Sequence, residues 1–341
     1  MTNIVEYLKR KLVSLQCFIG VEMTDEYIKL VEIKMDKNNS FIIHQYKMEP
    51  IQTNLIKDGF ILNTNEVINK LNDMLKQLTL YTNQVHFMLP SHLVHLHFLT
   101  VPHHEKEKIL KWIQTELENE RIELPFKNPH FDMIKLSTDT TGKTNIMLLT
   151  APQDEIETYV NVFNAVNLKP ISLEIKAFSL FRLIHALELI DIMCSFIVIE
   201  INKFSAEISV FQSGILQTIR SIPVMRSPEK YRSVKTAAQK AVSFKIVKKN
   251  EGDLSSYLTL EVKKFINYYH YYDNNKNKED FQCLILLGDI SELHQIGYEF
   301  NRAFPFEVRI LNADERISND KNNNLLPFFA VPLGLALRGR H

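Results

Sequence analysis

Two stretches of one design, about half a chain apart, constrain this sequence most. The first is Phe18-Ile19-Gly20-Val21-Glu22-Met23-Thr24-Asp25-Glu26-Tyr27-Ile28-Lys29-Leu30-Val31-Glu32-Ile33; the second runs from Phe196 to Phe211. Each has an apolar run, an acidic residue that closes it (Glu22, Glu200), a short polar turn and an alternating strand. Apolar runs bounded by turn residues read as buried strands, so both stretches are hairpins. Their repetition points to a duplicated two-domain α/β architecture. The length of 341 residues agrees, being too great for one ordinary core.

Composition removes several function classes. Lys plus Arg and Asp plus Glu are 40 each, so no net charge draws the chain to nucleic acid. No apolar run approaches the roughly 20 residues of a membrane helix, and no secretory signal is visible at the N-terminus. Cys17, Cys194 and Cys283 are widely spaced, odd in number and set in or beside apolar runs. They read as reduced core residues of a cytoplasmic protein, with no disulfide frame and no metal site. The chain has only nine glycines, and phosphate-binding loops need glycine where backbone must approach the anion.

In chain order, Ile4, Val5, Leu8, Leu12 and Leu15 predict a helix within 1–16, with Lys9, Arg10 and Lys11 between them. It reads as a leader helix packed on its own domain or as a short basic helix on a membrane surface. Strands are predicted near 17–23, 27–35 and 40–48, with a turn at 36–39. Val67, Ile68, Leu71, Met74, Leu75 and Leu78 mark an amphipathic helix, and 85–90 a buried strand. From 93 to 168 the pattern is a compact β-α-β-β-α unit, whose first helix carries Ile109, Trp112, Ile113 and Leu117 on one face. A helix is predicted over 173–189. The second hairpin, a strand over 215–224, polar helices over 229–248 and 254–272, a strand at 283–288 and another at 306–311 follow. Polar loops are expected at 273–280 and 319–324, and a closing apolar helix at 328–337.

The order of motifs resembles the PilM family, the actin-like proteins of type IV pilus and related transformation-pilus machines. Ile28-Lys29-Leu30-Val31-Glu32 matches the second half of the family's first hairpin. Ile56-Lys57-Asp58-Gly59, Leu89-Pro90-Ser91, Leu124-Pro125-Phe126, Val162 to Pro170 and Glu174 to Leu180 follow the family's turns and helices in sequence. Leu333 to Gly339 is similar to its terminal helix. The resemblance covers nearly the whole chain; FtsA-type division proteins share the inserted unit. It implies an actin-like, RNase H-like duplicated fold with an inserted PilM/FtsA-type β-α-β-β-α subdomain. It divides the chain into subdomain 1A (17–92 and 169–190), the inserted subdomain 1C (93–168) and domain 2 (191–341). The closing helix at 328–337 is the candidate to pack back on 1A.

Family members commonly bind ATP with Mg²⁺ between two such hairpins. The positions implied here are Glu22, Thr24, Asp25 and Lys29 in the first loop, Glu200, Asn202 and Ser205 in the second, and Gly288 near the adenosine. Thr24 and Asn202 stand where the family has glycine, and Asp25 and Glu26 where it has small hydroxyl residues. A side chain at a loop glycine opposes a left-handed backbone and close amide approach. Carboxylates facing a triphosphate repel it by about 1 kcal/mol per pair at 4 Å in water and by about 4 at an effective dielectric of 20. A degenerate nucleotide site and no catalysis are therefore expected.

Other features have plainer readings. His95 and His97 share one strand face, but no zinc spacing accompanies them. Thr141-Gly142-Lys143-Thr144 lacks the upstream glycine of a P-loop and reads as a hairpin turn. Tyr268, Tyr269, Tyr271 and Tyr272 read as a half-buried helix face rather than a base-stacking platform. The expectation is a cytoplasmic scaffold of a type IV pilus or DNA-uptake machine. It would dock the N-terminal tail of a PilN-like bitopic membrane protein, reach the inner membrane surface through that partner and bind no nucleic acid, with homo-oligomerisation left open. The alternatives are an ATP-driven actin-like switch and an FtsA-like division anchor. The anchor requires a detachable amphipathic tail, whereas the chain ends two residues past the closing motif.

Overall fold

The computed structural model describes residues 16–35, 41–52, 54–224, 254–272, 280–311 and 326–340. The helix expected within 1–16, the turn at 36–39, the helix at 229–248 and the loop at 319–324 lie outside them, as does the loop at 273–280 but for its last residue. The described residues fall into two compact units, one within Met1–Ser179 and Val331–His341, the other within Leu180–Ala330.

The first unit is built on β1 (Gln16–Met23), β2 (Tyr27–Met35) and β3 (Phe41–Pro50), an antiparallel meander. A small clip follows, β4 (Ile56–Lys57) and β5 (Phe60–Ile61), then α1 (Thr64–Leu75) and β6 (Gln84–Leu89). Asp58 and Gly59 both have positive φ, 48° and 72°, the backbone that a two-residue hairpin turn demands and Asp-Gly supplies. Asn63 starts α1 by accepting from Glu66 N at 3.2 Å while its carboxamide donates to Glu66 Oε1.

Next come β7 (His95–Val101), α2 (Lys106–Glu118), β8 (Pro129–Thr138), β9 (Thr144–Pro152), α3 (Gln153–Ala165), β10 (Lys169–Ile175) and α4 (Lys176–Ala186). The main sheet has the order β10-β6-β1-β2-β3, with β6 parallel to β1 and β10 parallel to β6. A separate sheet, β7-β9-β8, encloses its own small core of Val101, Ile109, Ile113, Ile146 and Leu148 under α2.

Two elements differ from the sequence reading. The helix expected from Leu173 begins only at Lys176, because 169–175 forms β10. Residues 169–175 pair in parallel with β6, with a bulge at Ile171 that interrupts the alternation, so a partner distant in sequence and not local periodicity makes the strand. Moreover α3, grouped by sequence with the inserted unit, buries Tyr159, Val162 and Phe163 in the core of the five-stranded sheet. There the Phe163 and Phe87 rings lie 4.9 Å apart.

The second unit repeats the plan. β11 (Phe196–Ile201), β12 (Ser205–Gln212) and β13 (Ile215–Pro223) form an antiparallel meander. α5 (Leu254–Tyr272), β14 (Cys283–Gly288), α6 (Leu293–Ala303) and β15 (Glu307–Ile310) follow. The sheet order β13-β12-β11-β14-β15, with β14 and β15 parallel to β11, is that of the first unit. Phe181, Phe196 and Phe211 stack on one another, and α5 and α6 supply Leu258, Val262, Ile296 and Phe300 to the core.

The closing helix α7 (Leu326–Ala336) is almost wholly apolar and kinks at Phe329, ahead of Pro332. Its last residues return to the first unit: Pro332 and Ala336 lie against Gly20 of β1, and Arg338 Nη1 meets Glu174 Oε2 of β10 at 2.8 Å. Ile19, Val21 and Met23 belong to the core shared with α1 and α3, while Gly20, on the opposite face, meets α7. A strand covered on both faces is apolar almost throughout, which is why β1 reads as a continuous run.

Cys283, at the start of β14, is buried; desolvation lifts its thiol from an ordinary 9.0 to about 11, against a lowering by Arg309 and with smaller upward pushes from Glu307 and Cys194. A raised folded-state pKa means that the folded protein holds this proton more tightly. The resulting stability is intact below the unfolded value and is lost as pH climbs towards the folded one. Urea titrations between pH 9 and 11 should show wild-type stability falling, and Cys283→Ala should flatten that limb. An unchanged slope in the variant would assign the loss to another group.

Candidate functional site

The first hairpin loop is closed on itself. Thr24 N donates to Tyr27 O at 2.9 Å, and Thr24 Oγ1 accepts from the amides of Tyr27 (3.1 Å) and Glu26 (3.3 Å). Those two N–H groups, which a phosphate-binding turn would aim at its anion, are spent within the turn. Asp25 is also committed: Oδ2 accepts from Asp58 N at 2.7 Å and Oδ1 from Gly59 N at 3.2 Å. Its carboxylate therefore serves the β4–β5 turn.

Glu22 and Lys29 face each other in register across β1 and β2, almost completely buried, with Lys29 Nζ 3.8 Å from Glu22 Oε2. The ammonium also lies 5.7 Å from the Tyr27 ring centroid. Glu22 and Lys29, both named as first-loop positions, therefore form a buried pair in which the ammonium counters the Glu22 charge.

In the second unit Glu200 is buried in β11, between Glu207 of β12 and Leu287 of β14. Asn202 Nδ2 donates to Glu200 Oε2 at 3.1 Å, and Asn202 N donates to Ser205 O at 2.8 Å, closing that turn. Gly288 has φ of 151°, and a Cβ there would sit 2.0 Å from Ile201 O. The close approach of β14 to β11 is thus enough to require glycine at this position. Thr24, Asp25, Glu22 and Lys29 are gathered in the first unit, and Glu200, Asn202, Ser205 and Gly288 in the second.

Several residues that organise the first unit were not singled out as site residues by sequence. Tyr159 Oη, buried on α3, donates to Gly59 O at 2.8 Å. Burial, then the Asp25 carboxylate, then Glu155 push this phenol far above its ordinary value. A His92 ring nitrogen bonds to Asp58 O. Glu32, wholly buried, accepts from the amides of Tyr81 (2.7 Å) and Thr82 (3.2 Å) and meets His44 Nδ1 at 2.6 Å. The sequence signal for Glu32 was its place in a recognised motif; nothing local announced Tyr159 or His92.

The remaining candidates resolve simply. Thr141-Gly142-Lys143 is the turn between antiparallel β8 and β9, organised by Asp139 Oδ1, which accepts from Thr141 N and Lys143 N. Burial lowers the pKa of both His95 and His97, the former helped by the latter. Among the described residues no three His, Cys, Asp or Glu side chains converge to hold a metal, and no helix is long and apolar enough to cross a membrane.

Two sheets of identical strand order, with a three-stranded module inserted in the first, define an actin-like protein. A solved PilM-PilN type IV pilus biogenesis complex superposes with a TM-score of 0.72 at 18% identity, over 95% of this chain and 98% of that one. A family model for the type IV pilus assembly protein PilM matches residues 20–220, and the chain belongs to this family. Lower similarity is seen to the ethanolamine utilization protein EutJ from Carboxydothermus hydrogenoformans (TM-score 0.48, 12% identity, covering 94% of this chain and 89% of that one). The cytoplasmic domain of EpsL from Vibrio cholerae gives a TM-score of 0.47 at 10% identity, covering 91% and 98%. No curated protein matches by sequence.

Proposed function

We infer that this PilM-family protein is a cytoplasmic docking scaffold of a type IV pilus or pilus-like DNA-uptake machine. It captures the N-terminal cytoplasmic tail of a PilN-like bitopic membrane protein and sits at the inner face of the membrane through that partner. Its nucleotide loops are degenerate and it contributes no catalysis. The observation that carries the last point is the first hairpin loop: the Thr24 hydroxyl holds the Glu26 and Tyr27 amides, and the Asp25 carboxylate is bound to another turn. Docking is supported by family membership and by the inserted module, since an extended tail bound in a groove gains affinity from backbone pairing and apolar pockets.

Two titrations test the reading. A synthetic peptide of the PilN-like protein's cytoplasmic tail should bind the full chain with Kd of tens of micromolar or below; no binding in that range counts against docking. Mg-ATP should give no calorimetric binding at micromolar concentrations. A second reading, an ATP-gated switch, is favoured by one feature, the buried Lys29 ammonium in the first loop. Micromolar ATP binding lost in Lys29→Met would establish it, and sustained hydrolysis would make the protein an enzyme.

A further inference from the structure

The three-stranded module joins the five-stranded sheet through two necks. The chain leaves β6 through Pro90 and a short turn, Ser91–Leu93, into β7. It returns from β9 directly into α3, which carries Tyr159. The β4–β5 turn touches the first neck and α3. A Cβ on Gly59 would lie 2.2 Å from Pro90 Cγ, so the turn rests flush on the first neck, and His92 bonds the Asp58 carbonyl there. On α3, well past the second neck and in the core of the five-stranded sheet, the Tyr159 hydroxyl bonds the Gly59 carbonyl. The Asp58 carbonyl therefore holds the first neck, and the Gly59 carbonyl holds α3, the helix that the second neck enters. Both amides of this Asp-Gly pair are held by one side chain, Asp25, which stands in the first hairpin loop.

We propose that Asp25 is a positioning residue that fixes the pose of the inserted module on the five-stranded sheet, through the Asp58-Gly59 turn clipped between the module's first neck and α3. In this chain a loop of the kind that grips nucleotide elsewhere in the fold class is used as an internal tether. The consequence for tail capture rests on the docking function proposed above: a tail held against the module is bound well only while the clip is closed. Hydrogen bonds to an ionised acceptor are the stronger ones, so losing both should be felt beyond the turn itself.

Hydrogen exchange on the full chain, without any peptide, tests the tether directly. In Asp25→Ala, amides of 90–101 and 150–160 should exchange about tenfold faster or more, while those of β11 and β14 keep their wild-type rates. Asp25→Asn keeps an acceptor oxygen for one of the two amides and should restore part of the protection. Tyr159→Phe should loosen 150–160 and spare 90–101, which a general loss of stability would not do. Unchanged exchange in both segments in Asp25→Ala, or a uniform rise through the whole five-stranded sheet, would overturn the proposal. If Asp25→Ala does not fold, the contrast between Asp25→Asn and Tyr159→Phe still decides: equal effects on the two segments in Tyr159→Phe sink the clip. In a second arm, the tail peptide should bind Asp25→Ala about fivefold or more weakly, with Asp25→Asn intermediate. Failure of the wild type to bind the peptide would remove the docking function and leave the exchange result standing.

Discussion

Replacing Gly20 with valine is expected to destabilise the first unit by more than about 3 kcal/mol. A Cβ at this position would lie 1.9 Å from the Pro332 carbonyl oxygen and 2.7 Å from the Ala336 amide nitrogen. Both obstacles are backbone, so no rotamer change relieves them, and α7 would have to lift from β1. Overpacking a filled core typically costs about 1–3 kcal/mol, and a forced backbone separation lies at or above the top of that range. Against a total stability of about 5–15 kcal/mol, a loss of about 3 kcal/mol for Gly20→Ala and more for Gly20→Val is expected. Urea unfolding followed by circular dichroism measures it. A Gly20→Ala protein within about 0.5 kcal/mol of wild type would show that α7 does not need this contact.

The second large effect is expected at Glu32. Its carboxylate is wholly buried and is the acceptor for the Tyr81 and Thr82 amides and the partner of His44. The Glu32→Ala substitution removes the acceptor of two part-buried backbone donors and the partner of a part-buried imidazole, at up to about 1–3 kcal/mol for each bond left unmade. The expected total is about 3–5 kcal/mol. Glu32→Gln keeps one acceptor oxygen and should cost clearly less. The loss should also appear locally, as faster exchange around 79–84, where Gln45 and Thr79 make a reciprocal pair that depends on the same loop. Equal losses for the alanine and glutamine variants would show that packing, not hydrogen bonding, is what Glu32 provides.

Most of the fold was legible because strands buried on both faces leave continuous apolar runs. Phe18 to Met23, Phe196 to Ile201 and Cys283 to Gly288 all declare themselves in this way. β10 did not, because its state is decided by a parallel partner, β6, far away in sequence. A short segment joined to a helix then reads as the helix's first turn. The site was legible as positions and not as bonds. Thr24 and Asp25 were identified as departures from a nucleotide loop, yet what Asp25 does instead depends on amides 33 and 34 residues later. Periodicity marks Tyr159 as a core side chain; it says nothing of where the hydroxyl at its tip ends. Glu22 and Lys29 were named as loop positions, but that they face each other as a pair shows only in the strand register.

The return of α7 to β1 has a consequence for vectorial synthesis. Everything within Leu180–Ala330 must leave the ribosome between β10 and the residues that cover Gly20. At about 5–20 residues per second this interval lasts roughly 8–30 s, during which one face of the opening strand has no lid from its own polypeptide. Nascent protein is then at its most vulnerable to sticking and to chaperone capture, and a stop codon placed just before Val331 would leave it so permanently.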